Sequence, residues 1–240
     1  MENISQKSKD YYDQLWVELE RKGLNKPNSR HYAIISKLKK YGLRPDEQVI
    51  ELGCGAGALS ILISKYLTKG KILAADLSEE IIKLNQYKYK KVDNLEFLSQ
   101  DITKWTPPGL FDSIILPDVI EHIPLELHDQ LWKSVNRISK ADSKLFINIP
   151  HPKALEYLHE TNKDILQEID LPISLKFLSE SLFSNNFYIE QVESYSLGYT
   201  SEDYQFIVAR KNDYRKQYEK KSWMNKLKTH YYYKLSSRFF

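Results

Sequence analysis

Acidic side chains close a series of short apolar runs in the first half of this 240-residue chain. Glu51 follows Val49-Ile50, Asp76 follows Ile72-Leu73-Ala74-Ala75, Asp101 lies just beyond Leu95-Glu96-Phe97-Leu98, and Asp118 follows Ile114-Ile115-Leu116-Pro117. Gly53, Cys54, Gly55 and Gly57 stand directly after Glu51, and His122, His151 and His159 cluster after the fourth and fifth apolar runs. Carboxylates gathered on one rim can hold a cationic or hydroxyl-rich ligand. Glycines let a backbone approach that ligand closely, and a neutral imidazole can take a proton from a reacting hydroxyl. A single Asp after a strand is more often a turn former or helix cap. Four in register point instead to one ligand at the carboxyl edge of a parallel sheet.

The elements that must position these groups are legible from the patterning. Val49 to Leu52 reads as a strand, Gly53 to Gly57 as a tight loop and Ala58 to Leu67 as a helix, a unit that binds a nucleotide-like cofactor. The spacing Gly53-x-Gly55-x-x-Ala58 satisfies a loose dinucleotide fingerprint. Glu51 weighs against a dinucleotide, because a carboxylate at the strand end repels pyrophosphate. It attracts the ammonium and sulfonium of S-adenosylmethionine, which has no phosphate. Lys71 to Asp76, Leu95 to Leu98, Phe111 to Leu116 and Lys144 to Pro150 read as further strands with helices between them. Right-handed crossovers and a parallel sheet with helices on both faces follow. Asp76 lies about 25 residues beyond Glu51, near the spacing at which a second-strand acid meets ribose hydroxyls. Asp101 suits an exocyclic amino group.

The segments Glu51-Leu-Gly-Cys-Gly-Ala-Gly57, Asp76, Asp101-Ile102 and Asp118-Val-Ile-Glu-His122 make the chain resemble a class I S-adenosylmethionine-dependent methyltransferase over residues 30 to 210. It is most similar to the small-molecule branch that includes ubiquinone-biosynthesis O-methyltransferases. The resemblance implies an α/β, Rossmann-like, seven-stranded and mostly parallel sheet, with helices on both faces and a C-terminal antiparallel hairpin. It implies S-adenosylmethionine held by Arg30, Glu51, Gly53, Cys54, Gly55, Gly57, Asp76, Leu77, Asp101, Ile102 and Asp118. Glu51 and the loop would take the methionine end, Asp76 the ribose, and Asp101 with Ile102 the adenine. Arg30, in Asn28-Ser-Arg-His-Tyr32, would reach the cofactor carboxylate.

Methyl transfer is an in-line displacement in which the protein aligns the acceptor and manages its proton. A hydroxyl acceptor calls for a base, and His122 or His151 is the expected one. A second reading is metal-assisted. Asp118-x-x-Glu121-His122 resembles the Glu-x-x-Glu-His motif of small-RNA 2′-O-methyltransferases, and Asp118, Glu121, His122 and His151 together suit a divalent ion. The plain alternative is a helix-start acid beside an orienting histidine. Pro150 and Pro152 around His151 serve equally to end a strand. His159 with Tyr157 fits a lid or a helix surface, while His31, His128 and His230 are expected to be structural or solvated.

Residues 1–45 read as two helices covering the cofactor site, 46–210 as the catalytic domain with an insertion near 151–174, and 211–240 as a tail. The first helix places Tyr12, Leu15, Trp16 and Leu19 on one face; the second starts at a candidate cap, Ser29. Leu175 to Ser184 reads as a helix, with Tyr188 to Leu197 and Tyr204 to Lys211 as the closing strands. Net charge is +3, but it is uneven. From residue 211 on, nine basic residues face two acids, so the body is acidic. The only cysteine, Cys54, reads as a packing residue and suits a reducing, cytoplasmic setting. No leader pattern or membrane span is evident.

The tail mixes Lys and Arg with Trp223, Tyr231, Tyr232, Tyr233, Phe239 and Phe240. It suits an anionic membrane surface, nucleic acid or a solvated helix. The acidic body disfavours a large nucleic acid and favours a small hydroxylated acceptor, including a sugar of glycan biosynthesis. Competing functions are a metal-dependent RNA ribose methyltransferase, a non-catalytic scaffold and, more remotely, an NAD-linked oxidoreductase.

Overall fold

A computed structural model describes residues 2–23, 25–105, 107, 109–211 and 222–236. Seven strands form one sheet: β1 Gln48–Leu52, β2 Lys71–Asp76, β3 Leu95–Ser99, β4 Phe111–Pro117, β5 Ser139–Pro150, β6 Phe187–Tyr195 and β7 Tyr204–Lys211. Their order is β3-β2-β1-β4-β5-β7-β6. The first five pair in parallel, and β7 runs antiparallel to both β5 and β6. The order reverses beside β1, so the carboxyl ends of β1 and β4 flank the crevice where such sheets take ligands.

The central strands are apolar because both faces are covered. Helices α2 Ser29–Lys40, α3 Ala58–Tyr66 and α4 Glu79–Lys88 cover one face. There Ile34, Leu38, Leu59 and Ile63 meet Val49, Ile72 and Phe146. Helices α5 His128–Ile138 and α7 Leu175–Ser184 cover the other, where Trp132, Leu178 and Leu182 pack with Ile114, Leu145 and Phe187. Two further helices, α1 Glu2–Arg21 and α6 Pro152–Thr161, lie at the carboxyl edge, and α8 Trp223–Ser236 follows β7.

Three local expectations need correction. The cap of α2 is Asn28, not Ser29: its Oδ1 accepts from the Arg30 and His31 amides, and His31 Nδ1 accepts from the Asn28 amide in return. β5 begins at Ser139, five residues earlier than the apolar pattern shows. The polar stretch Ser139-Lys-Ala-Asp-Ser143 stays extended because the ladder to β4 shifts register between Phe111 and Ser113, and Ser143 Oγ donates to Phe111 O at 2.6 Å. β6 ends at Tyr195, because Asp203 draws the Leu197 and Gly198 amides into a turn, each at 2.7 Å.

Candidate functional site

A cavity of about 890 Å³ opens at the carboxyl edge. Its floor is the loop between β1 and α3. Gly53, Gly55 and Gly57 adopt φ of +80°, +47° and +71°, a region closed to most side chains. A methyl on Gly53 would stand 2.2 Å from Val119 Cγ2, and one on Gly55 would stand 2.5 Å from the Trp16 ring. The loop is therefore glycine for two reasons, backbone angle and close approach.

Two segments distant in sequence cover the cavity. Tyr12, Leu15, Trp16 and Leu19 of α1 line it, as do Ile165, Leu166, Gln167 and Asp170. The two segments touch, since the Tyr11 hydroxyl bonds the backbone at Glu168. α1 is pinned from below by Asp13, which accepts from Ser78 Oγ and from the Glu80 amide at the start of α4.

Glu51 is 1% exposed. Ser60 Oγ donates to its Oε2 at 2.6 Å, while Oε1 is buried without a partner. Burial pushes its carboxyl up to about 8 despite the Ser60 hydrogen bond. Asp76 accepts the Gly55 amide at 2.7 Å and the Ser78 amide at 3.0 Å, and burial raises its pKa. Asp101 accepts from the Thr103 amide and hydroxyl and pairs with Lys104 at 3.3 Å. Leu77, Asp101 and Ile102 line the cavity together with Gly53, Cys54 and Gly55. Gly57 does not; it starts α3 and packs on Phe97. Cys54 is buried and its thiol is pushed well up by burial, so it stays protonated as a packing residue.

Across the cavity, Asp118 holds φ +54°, a left-handed conformation that Asp tolerates better than most residues. Its Oδ2 pairs with Arg30 Nη1 at 3.1 Å, and its Oδ1 accepts from Asn148 Nδ2 at 2.8 Å. Asn148 in turn accepts from the Tyr195 hydroxyl at 2.7 Å. The Asp118 carboxylate raises the Arg30 pKa further, so Arg30 is a fixed cation at the mouth.

His122 lines the cavity, and His151 does not. His122 Nδ1 donates to Ile169 O at 2.7 Å and lies 3.2 Å from Asp170 Oδ1. Its Nε2 faces the Gln167 side-chain amide at 3.2 Å and Glu121 Oε1 at 3.9 Å. Burial works against the imidazolium, but Asp170, Glu121 and the Ile169 carbonyl outweigh it and push His122 up to about 9. Gln167 Oε1 is buried without a partner as placed. Exchanging its amide N and O would let it accept from a protonated Nε2. His151 serves as the cap of α6, its Nδ1 accepting from the Lys153 amide. His159 Nε2 bonds Asp170 O at 2.7 Å.

The metal expectation is corrected by these bonds. Among the described residues, no group of three or more His, Cys, Asp or Glu side chains is placed to hold an ion. Asp118 gives its oxygens to Arg30 and Asn148, His122 turns Nδ1 to Ile169 and Asp170, and His151 caps a helix. Patterning also missed Asp170, Gln167 and Asn148. The first two lie in a segment without periodicity, and Asn148 is one polar residue inside an apolar strand; that last anomaly was the available signal.

Residues 49–142 match a family model described as a methyltransferase domain. The ribosomal protein L11 methyltransferase of Thermotoga maritima is 30% identical over 116 residues, covering 46% of this chain and 39% of that protein. The (S)-coclaurine N-methyltransferase of Thalictrum flavum is 23% identical over 120 residues, covering 49% of this chain and 33% of that protein. The chain thus spans less than half the length of these curated relatives. Among solved structures, magnesium protoporphyrin IX methyltransferase from Synechocystis PCC 6803 with bound SAH superposes with TM-score 0.69 at 19% identity, covering 86% of this chain and 99% of that one. The DhpI–SAH complex gives 0.67 at 18% identity, covering 88% and 98%. At such identities the likeness concerns the fold.

Proposed function

We propose, from the premise that this is a class I S-adenosylmethionine-dependent methyltransferase fold with its methyltransferase domain at residues 49–142, that the chain methylates a hydroxyl on a small acceptor. A sugar or other glycan intermediate is the favoured acceptor. The observation that carries the cofactor assignment is Glu51 Oε1, buried and unbonded beside a loop that only glycine can form. An unpaired buried carboxylate oxygen suits a cationic donor and repels a phosphate. Glu51 and the Gly53–Gly55 backbone would hold the methionine end, with Asp76, Leu77, Asp101 and Ile102 around the adenosine. The cofactor supplies the activated methyl group.

In this reading His122 takes the acceptor proton; the contacts of its Nδ1 with Asp170 and the Ile169 carbonyl, which hold the ring, support that role. In the free protein it is held largely protonated; an added positive charge in the cavity lowers its proton affinity toward neutrality. Calorimetry with S-adenosylhomocysteine and with NAD tests the cofactor assignment: uptake of the first and not the second is expected, and the reverse removes it. With an acceptor found by cofactor turnover, His122→Asn is expected to lower kcat about 10²–10⁴-fold. Its affinity for S-adenosylhomocysteine should stay near wild type. An unchanged kcat would dismiss His122 as the base.

The partner proposed for α8 is an anionic bilayer surface. Trp223, Met224, Leu227, Tyr231 and Leu235 share one side of α8, with Lys234 among them, and all five are exposed. Lys226 and Lys228 flank that side, and residues 222–236 contain no acid. Exposed aromatic rings interleaved with lysines suit the headgroup region, each nearby Lys adding about 1 kcal/mol. No helix among the described residues is long and apolar enough to cross a membrane. Co-sedimentation should show binding to phosphatidylcholine vesicles that rises with added phosphatidylglycerol and falls in Trp223→Ala/Leu227→Ala. No response to phosphatidylglycerol would sink this partner.

A further inference from the structure

Seven acids line the cavity, and one of them stands apart. Asp76, Asp101, Asp118, Asp170 and Asp203 each engage both carboxylate oxygens. Glu51 engages one. Glu121 engages neither: both of its oxygens are buried without a hydrogen-bond partner, and the residue is 1% exposed. It sits in the turn Ile120–His122 directly after β4, one residue from His122. Leaving a buried acceptor unbonded is costly, and more so for a charged group. The fold gives neither oxygen of this side chain a hydrogen bond, His122 Nε2 standing 3.9 Å from Oε1, at the point where acceptor and base would meet.

Glu51 shows the same signature in milder form, and in the methyl-transfer reading its free oxygen meets a ligand. Resting on that reading, we infer that Glu121 anchors the acceptor, its two oxygens receiving two neighbouring hydroxyls of an uncharged diol or catechol. Burial pushes the Glu121 carboxyl of the free protein up to about 8; in its ionised form the pair of acceptor oxygens in one plane matches two donors on adjacent carbons, and those donors favour that form. Charge selects against the alternatives. His122 Nε2 already stands 3.9 Å from Glu121 Oε1, and Arg30 lies at the mouth, so a cationic acceptor adds a further positive charge beside them. A phosphate or carboxylate would face Glu121, Asp118 and Asp170 together. Two donors held at once also fix which hydroxyl faces His122, so Glu121 sets regiochemistry as well as affinity.

The test uses the full chain saturated with S-adenosylhomocysteine, whose binding is measured first. Failure of that step overturns the cofactor reading, and this inference with it. On the loaded protein, catechol, 2-methoxyphenol, benzylamine and benzoate are titrated by calorimetry. Catechol is expected to bind at least about tenfold more tightly than 2-methoxyphenol, which lacks one donor. In Glu121→Ala that ratio should fall to within about twofold, while S-adenosylhomocysteine affinity is retained; Glu121→Gln, with one acceptor oxygen left and no ionisable group, should fall between. Equal binding of catechol and 2-methoxyphenol, no catechol binding, tighter binding of benzylamine or benzoate, or a ratio that survives Glu121→Ala would each overturn the inference.

Discussion

Glu51→Gln is expected to weaken S-adenosylmethionine binding about 30-fold or more while leaving the protein folded. Removing one member of a buried charge pair costs about 2–5 kcal/mol, and Glu51 is the buried acid whose free oxygen faces the cavity floor. The amide keeps the volume and can still accept from Ser60, so the core around Ile50 and Leu59 has no reason to rearrange. The free variant should also reveal the cost of the native acid. Burial lifts the folded-state carboxyl from 4.5 to about 8, so the native state binds more protons than the unfolded one between those values. Its contribution is present in full below pH 4.5 and is lost as pH rises through about 8. Denaturant melts across that window should fall in stability for wild type and fall less for Glu51→Gln. Equal slopes with unchanged cofactor affinity would remove Glu51 from the binding role.

Gly53→Ala should destabilise the fold itself. The position holds φ +80°, and the new methyl would lie 2.2 Å from Val119 Cγ2. Left-handed backbone costs a non-glycine residue about 1–3 kcal/mol, and forcing a methyl into packed space adds about 1–3 kcal/mol. At roughly 2–4 °C per kcal/mol for a chain of this size, Tm should fall by roughly 4–24 °C. Gly109→Ala is the comparison that separates the two contributions. Its φ is +110° but nothing lies within 4 Å of the added carbon, so it carries backbone strain alone. If both variants melt together, the contact with Val119 is not what excludes a side chain at 53.

The predicted bounds of β2, α7 and β7 coincide with those in the structure, because each has its apolar residues in one period. The Gly loop was legible for a related reason: close approach and positive φ both select glycine, so geometry is written directly into residue type. Ser139–Ser143 was not legible, since an edge of extended polar backbone looks like a turn until its partner strand is known. Asp118 belongs to the same class. Its left-handed φ and its bond to Arg30, 88 positions away in the chain, leave no local trace. In the sequence Glu121 stands out for its chemistry, and the metal motif it resembles groups it with Asp118, His122 and His151. Only three-dimensional packing shows that its three companions point to other partners.

The roof built from α1 and the 165–170 segment carries a consequence for timing. Trp16 lies against Gly55 while Tyr11 reaches the backbone at Glu168, so a molecule in the cavity is enclosed by both segments. Any lifting of α1 from its anchor at Ser78 would widen the path for loading and unloading. Contacts made by a covering segment act on residence time as well as on affinity, so the Asp13–Ser78 bond bears on how fast a bound molecule leaves.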